Sequence, residues 1–448
     1  MKFLKKAAVC LMAAVLCLSA AGCGGGGNSD KGGAYTITIG VIGDSVETGI
    51  INRLKEGFLK NEENKNIKIT LVKMNEYDTW VVGRMSTKTI PDMIQVYDYN
   101  SRYWTNMGLF QSVTDLMERD GVNPADFSSS VIGMAQSGAG DDYYWLPRDY
   151  NKMVVCVNTE MFEIAGIEIP KDDWTMTDFY NVCKQLKAKE ADIKKVTKQT
   201  TFYPAEMQLN STEIYYPFIR AYGGDFFAVN DGSISVYNDL NKVKQGANAL
   251  LKYADEGLCL PPDTTAAAFI NKQAAMMFTT RPNVPNYAKR LDNKIDFVSM
   301  PAIDDRAEGE ESYIGMGCTG YTITSFCPEE KRETAWKFLK YIVSEEGQEL
   351  LGEMGNGVPV LNSLLNSKDA AWRQYISADL NHEAFYKYSE RDLPAISYLD
   401  NIPIAKHLTV YSTLKIKLLK EVYEQEVSAR DNYYITNLKV ALERNLAS

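Results

Sequence analysis

The chain has 448 residues, 45% of them hydrophobic and 24% charged, enough apolar content for a substantial core spread over two or three domains. Its formal net charge is −10, and the first 22 residues carry three lysines and no acid, so without them it stands at −13. That acidic balance argues against nucleic acid as a partner, because phosphate binding needs a basic surface, and against adsorption on anionic lipid by charge alone.

Met1–Lys6 is basic and Ala7–Leu18 is apolar, a run of signal-peptide length and short for a bilayer span. Ser19-Ala20-Ala21-Gly22 then leads to Cys23. This stretch resembles a bacterial lipobox, with Ala20 where that pattern prefers Leu, and the resemblance implies lipidation of Cys23. The other reading is ordinary secretory cleavage near Gly22. Gly24–Gly33, GGGGNSDKGG, has no apolar residue to bury and suits a flexible tether. We therefore expect a signal peptide over 1–22, an anchor and linker over 23–34, and a protein on the outer face of the bacterial cytoplasmic membrane. Five cysteines remain beyond Cys23: Cys156, Cys183, Cys259, Cys318 and Cys327. An odd number without CxxC spacing reads as apolar packing residues and not as a disulfide or metal framework, with a single bridge such as Cys318–Cys327 left open.

Tyr35–Asp44 alternates as a strand, Ile50, Ile51, Leu54 and Phe58 fall at helical spacing, and Ile67–Met74 alternates again. This is a β-α-β unit with parallel strands, whose ligands gather at the strands' carboxyl ends. Thr79–Met85 reads as a short helix, Ile90–Val96 as a third strand ending at Tyr97-Asp98-Tyr99, and Met107–Met117 as a loop entering a helix. Asp141–Phe162, DDYYWLPRDYNKMVVCVNTEMF, joins aromatics around an LPR turn to an apolar strand, Met153–Val157. Thr175, with Asp178 three residues on, marks a helix start. Asn210–Tyr222 is apolar and aromatic, Asn241–Gly257 is helical, and Ala275–Phe278, Ile295–Met300 and Gly320–Ser325 read as strands. Ala335, Phe338, Leu339, Ile342 and Val343 form one helical face. Leu414–Val427 and Ile435–Leu446 read as amphipathic helices, and the sequence shows no fixed-period repeat.

No catalytic signature stands out. The two histidines, His382 and His407, have no ligand-spaced partners, and no GxSxG or phosphate-binding GxxxxGK[ST] occurs. We expect neither metal nor cofactor. Asp44, Glu47, Asp98 and Asp149 could supply the two carboxylates of a sugar-cleaving enzyme, but sequence places no pair. Aromatics are more informative, with 27 Tyr, 16 Phe and 6 Trp. Tyr97, Tyr99, Tyr143, Tyr144, Trp145 and Tyr150 cluster at predicted strand ends beside Asp98, Arg148 and Asp149. Each alone reads as packing; together they suit a sugar, which offers flat C–H faces for stacking and hydroxyls for charged hydrogen bonds.

Several motifs then fall in order: Ile67–Lys73 with Ile90-Pro91-Asp92-Met93-Ile94, Leu146-Pro147, Val157–Ile167, Trp174-Thr175 with Phe179, Tyr222–Phe226, Phe269–Phe278, Gly320–Ser325 with Ala335–Leu339, and Val358-Pro359-Val360. In this order the chain resembles the extracellular solute-binding proteins of family 1, the receptors of bacterial ABC sugar importers. Val157, Thr159 and Asn271 depart from the residues usual there. The resemblance implies an α/β, two-lobed periplasmic-binding-protein-like fold of type II, with the ligand cleft between lobes and a hinge of three crossings, Val358–Val360 being the third. It divides the chain into lobe 1 over 35–148, lobe 2 over 149–320, a return to lobe 1 over 321–356, and a return to lobe 2 over 357–448.

The implied ligand residues are Asp44 and Glu47 after strand one, Tyr97, Asp98 and Tyr99 after strand three, and Arg148, Asp149 and Tyr150 beside the first crossing. Arg281 follows the AAMMF strand, Met316 and Gly317 precede the second crossing, and Trp372 is a late stacking aromatic. Arg148 is expected at an exposed cleft edge, where its loss would weaken binding and spare the fold. The expected function is a monomeric, lipid-anchored carbohydrate-binding component that delivers its ligand to ABC permease subunits. A sensor passing its closed state to a membrane kinase and an extracellular sugar-cleaving enzyme are the alternatives.

Overall fold

The computed structural model describes residues 35–136, 140–230, 233–262, 264, 267–394 and 419–447. Cys23, the leader, the tether and part of the Leu414–Val427 stretch lie outside the described residues. The chain opens with β1 (Thr36–Ile42), β2 (Lys68–Met74) and β3 (Met93–Tyr97). β1 pairs in parallel with both neighbours, as the β-α-β reading requires. The connecting helix, Ser45–Lys60, is capped by Asp44, whose carboxylate accepts the Glu47 amide at 2.8 Å. Its buried face is Ile50, Ile51, Leu54 and Phe58. Phe58 packs at 5.1 Å on Phe338 of the Glu329–Ile342 helix. Burial of each such side chain stabilises by about 1.5–3 kcal/mol.

Three short pieces then carry the chain across. β4 (Leu146–Pro147) belongs to the first lobe, β5 (Asn151–Lys152) lies between lobes, and β6 (Val154–Asn158) enters the second. The second lobe adds β7 (Tyr203–Glu206), the hairpin β8 (Phe227–Asn230) and β9 (Ser233–Val236), β10 (Ala274–Thr279) and β11 (Ile295–Ser299). Its main sheet runs β11-β6-β10-β7. β6 is buried on both faces: Val154 and Cys156 point into one apolar cluster, Val155 and Val157 into the other. The Thr175–Asp178 capping box forms, starting the Met176–Ala188 helix that packs Phe179, Cys183 and Leu186 inward.

β12 (Ile314–Gly317) returns to the space between lobes and β13 (Thr319–Ile323) to the first, whose sheet order is β2-β1-β3-β13-β4. β14 (Asp392–Pro394) completes a small β14-β12-β5 sheet. Each strand of that sheet lies on one passage between lobes. Lys152 and Asp392 clamp it with a buried ion pair at 2.7 Å, and the Tyr150 hydroxyl donates to Asp392.

Val358 and Val360, in the stretch expected as the third crossing, accept the Tyr150 and Ser128 amides, and β14 is the edge strand of the small sheet between the lobes. Residues 357–386 follow neither lobe alone. Trp372 packs beside the Glu345–Glu353 helix, while Phe385 packs at 4.8 Å on Phe297 of β11. All five cysteines beyond residue 35 are free and buried, Cys318 and Cys327 included. No helix among the described residues is long and apolar enough to cross a membrane.

Candidate functional site

A cavity of about 520 Å³ opens between the lobes at the carboxyl ends of β1, β2 and β3. Ile42, Met74, Glu76, Tyr77, Tyr97, Asp98 and Tyr99 form its first-lobe wall. Gln208, Ser211, Glu213, Thr279, Thr280 and Asn283 form the second, and Asn151, Met153, Gly317, Cys318 and Thr319 form the floor. Tyr97 and Tyr99 stack at 5.4 Å, and Tyr77 meets Tyr97 edge-on at 5.5 Å, a rigid aromatic wall. Glu76 and Gln208, on opposite walls, both hold left-handed backbone, at φ 51° and 49°. Non-glycine residues in that region cost about 1–3 kcal/mol each, and such outliers gather at ligand clamps. A second cavity, of about 550 Å³, shares Gln208, Ser211 and Asn283 with the first and continues into the second lobe past Leu260, Ile270, Met277 and Tyr287.

Asp98 is a strongly perturbed carboxyl in the wall. It starts the Asp98–Asn106 helix, where sequence suggested only a strand end, and it is buried. Its Oδ2 has no hydrogen-bond partner. Burial, and then the charge of Glu213 across the cleft, push its pKa up to about 8 against the pull of the Tyr99 and Cys318 backbone. The folded state thus holds a proton that the unfolded chain releases near 3.8, so stability falls as pH rises from there through about 8. Asp98→Asn is expected to flatten that fall, a difference on the order of a few kcal/mol at the alkaline end. Equal melting-temperature slopes for both proteins across this range would show that Asp98 is ionised throughout.

Glu213 is set by close packing. The Thr212–Ala221 helix begins against β12, where a Cβ at Gly315 would stand 1.9 Å from the Glu213 carbonyl oxygen, so only glycine fits. Ser211 donates to the Glu213 carboxylate and fixes its direction.

Of the residues expected from sequence, Tyr97, Asp98, Tyr99 and Gly317 line the cavity. Four others form the scaffold behind it. Asp44 is a helix cap. Tyr150 is buried against Asp392, and Met316 is fully buried in β12. Glu47 sits behind Tyr97, bonded to Gln95 at 2.7 Å.

The expected exposure of Arg148 is corrected: it is 1% exposed. Its guanidinium forks onto Glu47 at 2.5 and 3.1 Å, bonds Asp149 through Nε at 2.9 Å, and donates to Thr319 Oγ1 at 2.7 Å. Asp149 in turn accepts the Thr319 amide at 2.9 Å and the Asn151 side chain at 2.8 Å. An acidic pair on either side of a buried cation drew it inward.

Arg281 and Trp372 do not line this cavity. Arg281 is fully buried, donating to the carbonyls of Gly355 at 3.0 Å and Trp372 at 2.7 Å, with His382 Nδ1 at 3.2 Å. The Trp372 ring is buried under Arg281 and Arg373, and its indole N–H donates to Leu364. Sequence reasoning missed Tyr77, Glu76, Asn151, Gln208, Ser211, Glu213 and Asn283. Only Tyr77 and Asn151, one strand end and one crossing away from named residues, carried a usable signal.

Comparison with known proteins follows this geometry. The family model for bacterial extracellular solute-binding proteins matches residues 60–378. Among solved structures, UgpB from Mycobacterium tuberculosis in complex with glycerophosphocholine is 14% identical, with TM-score 0.69 over 92% of this chain and 98% of that one. The sugar-binding protein MalE from Xanthomonas citri is 14% identical, with TM-score 0.68 over 92% and 97%. An ABC substrate-binding protein from Listeria monocytogenes in complex with cycloalternan is 15% identical, with TM-score 0.66 over 92% and 99%. At these identities the shared property is the two-lobed α/β fold.

Proposed function

The chain belongs to the bacterial extracellular solute-binding protein family, and on that premise we propose that it is the carbohydrate-binding component of an ABC importer. The observation that carries the sugar reading is the tyrosine wall, Tyr77, Tyr97 and Tyr99, facing hydrogen-bonding side chains from the other lobe. Flat rings take the C–H faces of a pyranose, while Gln208, Ser211, Thr280 and Asn283 suit its hydroxyls. The second cavity, continuous with the first, favours more than one sugar ring. Two of the similar structures carry sugar-binding names or ligands and one carries glycerophosphocholine, so shared fold leaves the ligand class to the side chains. Closure over the ligand would present the joined lobes to membrane permease subunits. The lipobox-like stretch at Cys23 would hold the protein, as a monomer, on the outer membrane face.

A thermal-shift panel tests this. A ligand at 100 times its Kd stabilises by about 2.7 kcal/mol. Oligosaccharides are expected to raise the melting temperature, while amino acids and short peptides leave it unchanged. A shift confined to a non-carbohydrate class would overturn the sugar reading. Incubation with the same oligosaccharides is expected to return them intact; released products would favour the enzyme alternative.

A further inference from the structure

The charges lining the interlobe cavity do not balance. Glu76, Asp98 and Glu213 are carboxylates, and none of the other described lining residues is Lys, Arg or His. Arg148, whose charge reaches Tyr97, does not line the cavity and is already paired with both Glu47 and Asp149. Asp98 and Glu213 belong to opposite lobes, so Asp98 ionises beside Glu213 only when something positive lies between them.

Asp98 lines the cavity, and one of its two carboxylate oxygens lacks a hydrogen-bond partner. It is 4% exposed, its Oδ2 makes no hydrogen bond, and it lines the cavity wall. The way to it is kept open by Gly317. A Cβ there would stand 3.4 Å from Asp98 Oδ1 and 3.5 Å from Oδ2, over the carboxylate and in the cavity lining. The stacked Tyr97 and Tyr99 rings stand next to it in sequence and in the wall, and ring faces attract cations.

We infer that the cleft selects a carbohydrate bearing a protonated amine, with the ammonium seated between Asp98 and Glu213 as the lobes close. This deepens the carbohydrate reading and rests on it. An ammonium supplies the donor that Asp98 Oδ2 lacks and the positive charge against which Asp98 ionises beside Glu213. A neutral sugar hydroxyl can do only the first. The differential between open and closed forms therefore belongs to the charged ligand. Proton release follows the same geometry. Glu213 faces Asp98 from the second lobe, Tyr97 and Tyr99 flank it, and Cys318 backs it. A bound ammonium favours the ionised Asp98, so binding releases a proton near neutral pH.

The test uses the full chain and matched ligand pairs in calorimetry. Glucosamine and galactosamine oligomers are set against the neutral glucose and galactose oligomers of the same linkage, with spermidine as a non-sugar cation and glycerophosphocholine as a non-sugar zwitterion carrying an ammonium. The amine-bearing glycans are expected to bind at least about 30-fold more tightly than their neutral partners, with a loss of affinity in high salt. Asp98→Asn is expected to abolish most of that preference. Gly317→Ala, which meets only ordinary van der Waals contacts, should fold normally and reduce it by covering the carboxylate. Equal or tighter binding of neutral glycans overturns the inference and leaves the carbohydrate reading standing. Binding of spermidine or glycerophosphocholine without any glycan overturns both. An undiminished preference in Asp98→Asn, or no binding by any amine-bearing glycan, overturns the inference.

Discussion

Replacing Arg148 with alanine will cost the fold about 3–5 kcal/mol, the loss expected when one member of a buried ionic cluster is removed. Urea unfolding measures it. Glu47 and Asp149 would be left as two buried carboxylates without their cation. The damage spreads because Glu47 also holds Gln95, Gln95 accepts the Ile42 amide, and Gln348 donates to the Arg148 carbonyl. One cluster therefore joins β1, β3, the first passage, β13 and the Glu345–Glu353 helix. Arg148→Lys should recover little, because an ammonium cannot fork onto Glu47 while bonding Asp149 and Thr319. The pH dependence has a definite sign. Burial works against the charge on Glu47, but Arg148 and Gln95 outweigh it and hold its pKa below 4.5. The wild type keeps that stabilisation above about 4.5 and loses it as pH falls further. In Arg148→Ala burial is opposed only by the Gln95 hydrogen bond, so the variant should gain relative stability in acid. Near-native stability with lost ligand binding would instead put Arg148 in the cleft.

Arg281→Ala is expected to cost a similar amount, about 3–5 kcal/mol, from a vacated volume and carbonyls left without their donor. Among the described residues Arg281 has no carboxylate partner. Carbonyls and the rings of Phe385, Trp372 and Phe297, at 5.3, 5.6 and 6.0 Å, hold it in place, and burial lowers its pKa to about 9. It joins β10 to the 357–386 stretch, so its loss should loosen the second lobe from that stretch. His382 reports the same contact. Burial, and then the Arg281 charge, lower its pKa from 6.5 to about 4. Stability is full above 6.5 and declines as pH falls toward 4. In the variant the like charge is gone, so the His382 titration followed by NMR should move upward. Under native conditions ligand affinity should hold, since Arg281 does not line the cavity. A weakened Kd in a fully folded variant would return Arg281 to the ligand set.

Local elements were legible wherever pattern and cap agreed. Thr175 with Asp178 marked its helix start, and alternation in Thr36–Ile42 and Lys68–Met74 marked parallel strands. The strand over Asp392–Pro394 was not legible. Val358-Pro359-Val360 and Asp392–Pro394 are both short extended pieces, and only pairing with Ile314–Gly317 separates them. The site divided in the same way. Tyr97, Asp98 and Tyr99 follow a strand of a parallel sheet, and chain order alone puts them at the ligand end. Arg148 and Arg281 looked equally suited to a ligand, because a sequence does not show that a charge is answered from inside.

Sequence by itself determined the α/β class, the strand order along the chain, the family, and the tyrosine-rich end of the third strand, since all depend on local periodicity and neighbouring residues. Tertiary structure decided which charges face the cleft and which are spent within the fold. Glu213 and Asp98 stand 115 positions apart in the chain, and only the approach of the second lobe's helix to β12 sets one carboxylate across from the other. That approach depends on a glycine at 315 having no side chain, a steric condition that shows only when two distant segments meet.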